Sequence, residues 1–392
     1  MANNFSLARI NHFVLSKQHL SEDSRINDIV QIVRDIGGLH ATNPMGPYLS
    51  LFARASNFER MSLDEELYVK RSLGKIRCVR GTMYILTKEM IPITFTATRE
   101  IVEKNSTRFL EYRGVSAEQY EKFSKIILNI LQGKEMSTLE IKRALKTELD
   151  VSSILNQMCD QGLLIRSKPE KGWKDRRHKY TLFREYFPEI DLSKISETEA
   201  ITQLLHCYLK SFGPLTEKDI SWWTGLSKNK IRESLDVLQD QLVQVEIPNF
   251  KNEFIMLKSE ERLLASSTFS KGRSVCLLPS LDPYLMGYKE RERYLDYKHY
   301  NEVFDRSGNS TTTIIHEGRV LGVWDLSEAP EPMIKLFLFD EVEERVLSKI
   351  YSEAKKIGKF ITDKEVKIKE CNTMIPLINR PAGGVMTPLK DF

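Results

Sequence analysis

"SAEQYEKFSKIILNILQG" (116–133), "STLEIKRAL" (137–145) and "VSSILNQMCDQGLLIRS" (151–167) decide the reading of the fold. The first stretch has helical apolar periodicity and ends at Gly133. The second starts on Ser137 with Glu140 three residues on, the spacing of a capping box. The third mixes helix and strand character at Ile154, Leu155, Met158, Leu163 and Leu164. A basic, turn-rich segment then leads to "KYTLF" (179–183). Three helices followed by a two-stranded hairpin make the winged helix-turn-helix pattern.

The pattern recurs about 80 residues later. "SETEAITQLLHCYLKSFGP" (196–214) reads as a first helix and "LTEKDISWWTGL" (215–226) as a second, with Thr216 as N-cap and Asp219 behind it. "SKNKIRESLDVLQDQ" (227–241), capped by Ser227, reads as a third, and "LVQVEIPNFKNEFIML" (242–257) as a hairpin. The first 110 residues fit the same frame with more elaboration. Its helices are Ile26–Gly37, "YLSLFAR" (48–54) and "SLDEELYVKRSL" (62–73), the last with Ser62 and Glu65 as a capping box; "KIRCVRGTMYILT" (75–87) is the hairpin. From about Arg273 the runs turn β-rich: "SVCLLPSLDPYLMG", "STTTIIHEGRVLGVWDL" and "PMIKLFLFDE", with one inserted amphipathic helix (341–360) and "EVKIKEC" as a further strand. The expected class is mixed α/β (α+β). Three tandem winged helices (1–112, 113–190 and 191–264) are followed by a barrel-like β-domain (265–392).

Composition is that of a globular protein, 41% apolar and 29% charged. No window approaches the roughly 18 consecutive apolar residues of a membrane helix. "MANNFSLARI" lacks the pattern of a signal peptide, so the expected location is the cytoplasm. The five cysteines are scattered without CxxC or metal-like spacing, and no cofactor, metal or obligate protein partner is expected. His12, His19, His206, His299 and His316 show no ligand spacing either. The net charge is only +4, but "RSKPEKGWKDRRHKYTLFR" (166–184) holds 8 basic and 2 acidic side chains on the expected wing. A basic strip on a nearly neutral chain points to a polyanion. Lys168, Lys171, Lys174, Arg176, Arg177 and Lys179, with Trp173 among them, are the expected DNA contacts there. A solvated charged face is the bland alternative.

Several stretches, in order, carry a resemblance. They are "GGLHATNP" (37–44) with "LFAR", "VRGTMYILT" (79–87), "SFGPLTEKDISWWTGL" (211–226), and "LLPSLDPYLMGYKER" (277–291) followed by "EGRVLGVWDL" (317–326). In that order they resemble the winged-helix DNA glycosylases of the bacterial alkylation and crosslink-repair type, the AlkZ and YcaQ family. The resemblance implies a C-shaped array of three winged helices closed by a β-domain, holding duplex DNA in a basic channel. It implies hydrolysis of the N-glycosidic bond of alkylated or crosslinked purines. The family's catalytic Gln-apolar-Gln or Gln-apolar-Asp motif falls by position on His40-Ala41-Thr42, so this chain departs from it at both polar positions.

A neutral imidazole at position 40 accepts a water proton near pH 7, and Thr42 can hydrogen-bond the same water. An ordinary imidazole would charge below about pH 6.5 and oppose the developing sugar cation, so activity is expected to fall there. The bland alternative makes both residues ordinary polar groups at a helix end. Arg54 and Arg80 complete the expected DNA contacts; for Arg80 a phosphate and an internal carboxylate are equally good partners. Asp282-Pro283 reads as a structural turn, and Trp222 and Trp223 as core. Two other functions stand beside the glycosylase: a catalytically silent winged-helix protein that recognises or shields damaged DNA, and a transcription regulator.

Overall fold

The computed structural model describes residues 3–267, 274–328 and 330–379. Arg273, where the β-rich texture begins, lies outside them. The chain is mixed α/β. It opens with β1 (Asn3–Asn4) and α1 (Leu7–Lys17), the latter capped by the Ser6 hydroxyl.

One order of elements then occurs three times: helix, short extended segment, helix, helix, hairpin. In the first unit it is α2 (Ile29–Asp35), β2 (Leu39–His40), α3 (Gly46–Phe52), α4 (Arg60–Tyr68), β3 (Leu73–Arg77) and β4 (Met83–Thr87). A long helix, α5 (Met90–Tyr112), leads to the second unit: α6 (Ala117–Ile130), β5 (Met136–Ser137), α7 (Thr138–Leu145), α8 (Val151–Asp160), β6 (Leu164–Pro169) and β7 (His178–Leu182). After α9 (Phe183–Tyr186) the third unit has α10 (Glu197–Phe212), α11 (Glu217–Thr224), α12 (Lys228–Leu238), β8 (Leu242–Glu246) and β9 (Phe254–Leu257), followed by α13 (Lys258–Ser266). In each unit the segment after the first helix pairs with the second hairpin strand: β2 with β4, β5 with β7, and Leu215 with Ile255 of β9. The N-terminal β1 adds to the third sheet, parallel to β8.

Local chemistry accounts for most of these boundaries. Ser137 and Glu140 form a reciprocal capping box, as do Thr216 and Asp219, and Ser227 caps α12. Ser62 and Glu65 do not. Helix α4 begins earlier, at Arg60, so Ser62 lies inside the first turn, its amide bonded to the Glu59 carbonyl.

The C-terminal region differs from the expected barrel. After β10 (Val275–Leu278), α14 (Pro283–Met286) and α15 (Tyr300–Val303) come β11 (Thr313–His316), β12 (Arg319–Ser327), β13 (Met333–Leu338), α16 (Glu344–Thr362) and β14 (Lys367–Glu370). The five strands form an open sheet in sequence order, with β14 parallel to β13. A parallel pair needs a long crossover, and α16 supplies it. That helix buries Val346, Ile350, Ala354, Ile357 and Ile361 with the sheet's Val275, Leu277 and Ile334, so one face of the sheet is covered by a helix rather than by further strands.

The second unit has a core of its own, built on Ile127, Leu131, Ile141, Ile154, Leu155 and Leu164. The largest core instead runs through α1, the first hairpin, α10 and β10, joining the first unit, the third unit and the C-terminal sheet. Among the described residues no helix is long and apolar enough to cross a membrane.

Candidate functional site

Two glycines turn α2 into β2. Gly37 and Gly38 have φ of +70° and +103°, and a Cβ on Gly38 would stand 2.6 Å from the Leu86 side chain. The chain therefore reverses at once, and Leu39 and His40 pair with Ile85 and Tyr84 of β4. Side chains alternate across a strand, which puts Leu39 in the first unit's own core and turns His40 onto Tyr84, the ring centroids 5.1 Å apart.

His40 is 6% exposed. Its Nδ1 is buried and has no hydrogen-bond partner among the described residues. Burial, reinforced by the nearby Arg80 guanidinium, pushes its pKa down to about 3, with the Asp282 carboxylate pulling weakly the other way. The imidazole is thus neutral throughout the physiological range, and the expected loss of activity near pH 6.5 does not follow from this residue. Thr42, two residues on, is exposed. The two side chains stand at one joint, one mostly buried and one exposed.

Arg80 approaches the joint from the turn between β3 and β4, held at φ +55°. It is half-buried, its guanidinium lies 3.9 Å from the centroid of the Trp222 ring, and it makes no carboxylate ion pair among the described residues. Trp222 also faces Arg291 at 5.1 Å and is only partly buried. Trp223 is the core residue of the pair, stacked on Tyr208 at 4.2 Å.

Arg54 is a correction. It was expected on DNA, but its side chain is fully buried, in bidentate contact with Asp282 at 2.7 and 2.8 Å. The Ser50 hydroxyl donates to the same carboxylate at 2.7 Å, and the Tyr284 amide donates at 3.0 Å. Asp282 is accordingly the structural residue it was read as: it caps α14 and clamps α3 to the C-terminal region. This clamp joins residues 228 apart in sequence.

The wing is partly committed elsewhere. Trp173 packs at 5.2 Å from Tyr48 and 5.9 Å from Phe360, beneath the Arg60 guanidinium at 4.7 Å. It docks the wing on α3 and α16 and is not free to stack on a base. Lys174 pairs with Glu328 at 3.1 Å, and Arg177 with Asp175 at 3.1 Å. Lys168, Lys171 and Arg176 are exposed and Lys179 half-buried, and none of these side chains makes an ion pair among the described residues.

With this geometry in place, a family described as DNA glycosylase AlkZ-like matches residues 33–360. The chain belongs to the AlkZ-like DNA glycosylase family. A relative from Streptomyces sahachiroi, an interstrand DNA cross-link repair glycosylase, is 24% identical over 294 residues, 71% of this chain and 76% of that protein. A solved structure of the Streptomyces sahachiroi DNA glycosylase AlkZ matches with a TM-score of 0.76 at 20% identity, covering 94% of this chain and all of the other. At that identity the likeness establishes the fold. The AlkZ-like match runs from within α2 to within α16, so His40, Thr42, Arg80, the Arg54–Asp282 clamp and the wing all fall inside it.

Proposed function

We propose that this protein hydrolyses the N-glycosidic bond of an alkylated, bulky-adduct or crosslinked purine in duplex DNA. The observation that carries the proposal is a neutral, buried imidazole at the joint between β2 and α3, beside an exposed threonine, in an AlkZ-like chain. The crosslink-repair activity of the Streptomyces relative supports the choice of substrate. The three repeated units are taken as winged helices within 1–112, 113–190 and 191–264, arranged in a C around the duplex, with 265–392 as the closing β-rich domain.

Alkylation at a purine nitrogen makes the base a cation and a good leaving group. The glycosidic C–N bond breaks with its electron pair going to the base, and the sugar develops oxocarbenium character. A water then attacks C1′, its oxygen forming the new bond and its proton leaving. His40, whose conjugate acid has a pKa of about 3, is a weak base before bond formation. Its role is to accept a hydrogen bond and orient the water, and it takes the proton only once the C–O bond has made that water strongly acidic. Thr42 holds the same water from the open side. A neutral acceptor is also what the family's glutamine offers, so the departure keeps the chemistry while changing the shape.

A second reading has its own observation. His40 is only 6% exposed, which suits a protein that binds damaged DNA without cleaving it. Incubation with duplexes containing N7-methylguanine or a nitrogen-mustard crosslink, followed by detection of abasic sites, tests the first reading. Base release is the expected outcome. No release from either substrate, with DNA binding demonstrated, overturns it. A gain of activity only after His40→Gln with Thr42→Gln establishes the silent reading instead.

A further inference from the structure

We infer that the groove between α5 and the start of α12 is a binding surface for the phosphodiester backbone of the duplex next to the candidate site; this rests on the function proposed above. The groove has a volume of about 470 Å³ and is lined by Lys104, Asn105 and Arg108 of α5, by Gly225 at the end of α11, and by Ser227 and Lys230 at the start of α12. Lys104 and Arg108 lie one helical turn apart, so they project from one face. Both are exposed, and neither has a carboxylate in contact among the described residues. Lys228, the first residue of α12, is exposed. The first turn of α12, capped by Ser227, adds the partial positive charge of a helix N-terminus.

Two carboxylates temper the groove. Lys230 reaches both Glu100 and Glu197 at 2.8 Å. Three cations, Lys104, Arg108 and Lys230, line the groove against two anions and leave it net positive, and Lys104 and Arg108 stand outside ion-pair contact among the described residues, able to receive an anion. The wing is less free: two of its basic residues are already ion-paired and its tryptophan is docked.

Continuity with the candidate site selects the occupant. A Cβ built on Gly225 would stand 3.9 Å from the Arg80 Cα, and one on Gly81 would stand 3.5 Å from the Asn105 side-chain nitrogen. The groove therefore runs directly into the turn that carries Arg80, whose field reaches His40. A backbone lying along Lys104 and Arg108 enters the joint at Arg80, which places a flanking phosphate by that guanidinium. An extended polyanion fits a row of unpaired cations ending at a reaction site better than an isolated small anion does.

The test is duplex binding across a salt series, using undamaged DNA so that excision does not enter. Lys104→Ala with Arg108→Ala is expected to weaken binding about tenfold at low salt and to lower the slope of log K against log salt by about 1 to 2. Thermal melting should not change, because both side chains are exposed and unpaired. Glu100→Gln removes one of the two carboxylate charges in the groove, Lys230 keeping Glu197, and is expected to tighten binding, an opposite sign that misfolding cannot mimic. Lys355→Ala with Lys364→Ala removes the same charge on and just beyond α16. A normal salt slope in the groove variant, or an equal loss in both pairs, overturns the inference while leaving the glycosylase reading intact. No duplex binding by the unaltered protein overturns both.

Discussion

The same place in the repeated frame is built in two ways. In the second unit the segment after the first helix is β5, whose Ser137 caps α7 with its hydroxyl and receives Glu140 in return. Its polar side chain serves the next helix. In the first unit the same place is β2, followed not by a capped helix but by residues 41–45. Helix α3 begins at Gly46 with no side-chain cap. The Asn43 side chain accepts from the Met45 amide, and His40 leaves Nδ1 buried without a partner among the described residues. A buried nitrogen without a hydrogen bond costs about 1–3 kcal/mol. One unit spends its polar residues on its own structure and the other leaves them unsatisfied, and such local departures gather at functional sites.

The contrast can be broken at its support. The Arg54–Asp282 clamp, with Ser50, ties α3 and the residues just after it to the C-terminal region. Arg54→Ala leaves a buried carboxylate without its counter-charge, and stability is expected to fall by about 3–5 kcal/mol. Urea unfolding monitored by circular dichroism measures it. A loss below about 1 kcal/mol would show that the clamp does not hold the joint. His40→Ala addresses the chemistry instead. Excision is expected to fall about a hundredfold or more, with duplex affinity unchanged and His40→Gln retaining much of the activity, because glutamine is also a neutral acceptor. Equal activity in His40→Ala and the unaltered protein removes His40 from the mechanism.

A depressed histidine pKa makes stability respond to pH in a defined direction while leaving activity flat over the same range. The folded pKa of about 3 lies below the ordinary 6.5, so the unfolded chain binds the proton first as pH falls. The contribution of neutral His40 to stability is fully present above pH 6.5 and is lost progressively toward pH 3, at about 1.4 kcal/mol per pH unit. Between pH 7 and pH 5 that is about 2 kcal/mol, and His40→Gln should remove it from the urea midpoints. Excision, by contrast, should show no His40-dependent step across the same range. A step near pH 6.5 that vanishes in His40→Gln would mean the imidazole takes up its proton at the ordinary value rather than near 3.

The first-unit joint and the second-unit cap were both legible in the sequence, for different reasons. Ser137 with Glu140 is a local signal that acts over three residues. "GGLHATNP" was visible as a break in periodicity, and the resemblance gave it an address. Helix α5 was not legible. Its first half carries Pro92 and the β-branched Ile91, Ile93, Thr94, Thr96 and Thr98, which favour extended structure. It is helical because Ile91, Phe95, Ala97 and Val102 are buried, and Thr98 returns its hydroxyl to the Thr94 carbonyl. Helix α1, capped by Ser6, stands outside the repeated frame and was not read either. Arg54 was misread because a basic residue near a candidate site looks like a DNA contact until its partner, far along the chain, is known. The groove cations Lys104 and Arg108 were missed with α5, since no run of charge marks them.

The smallest expected effect isolates the comparison best. Ser137→Ala removes one half of the capping box and should cost about 1 kcal/mol. The loss should stay in the second unit, whose core is largely its own. Asn43→Ala in the first unit removes a bond to a single amide ahead of an uncapped helix, so its cost should be smaller still. Its effect on excision should nevertheless be the larger of the two, because residues 41–45 position Thr42. Measured together, unfolding and excision should move in opposite order for the two variants. If Ser137→Ala impairs excision more than Asn43→Ala does, then the first-unit joint is no more functional than an ordinary helix start, and the distinction between the two units does not hold.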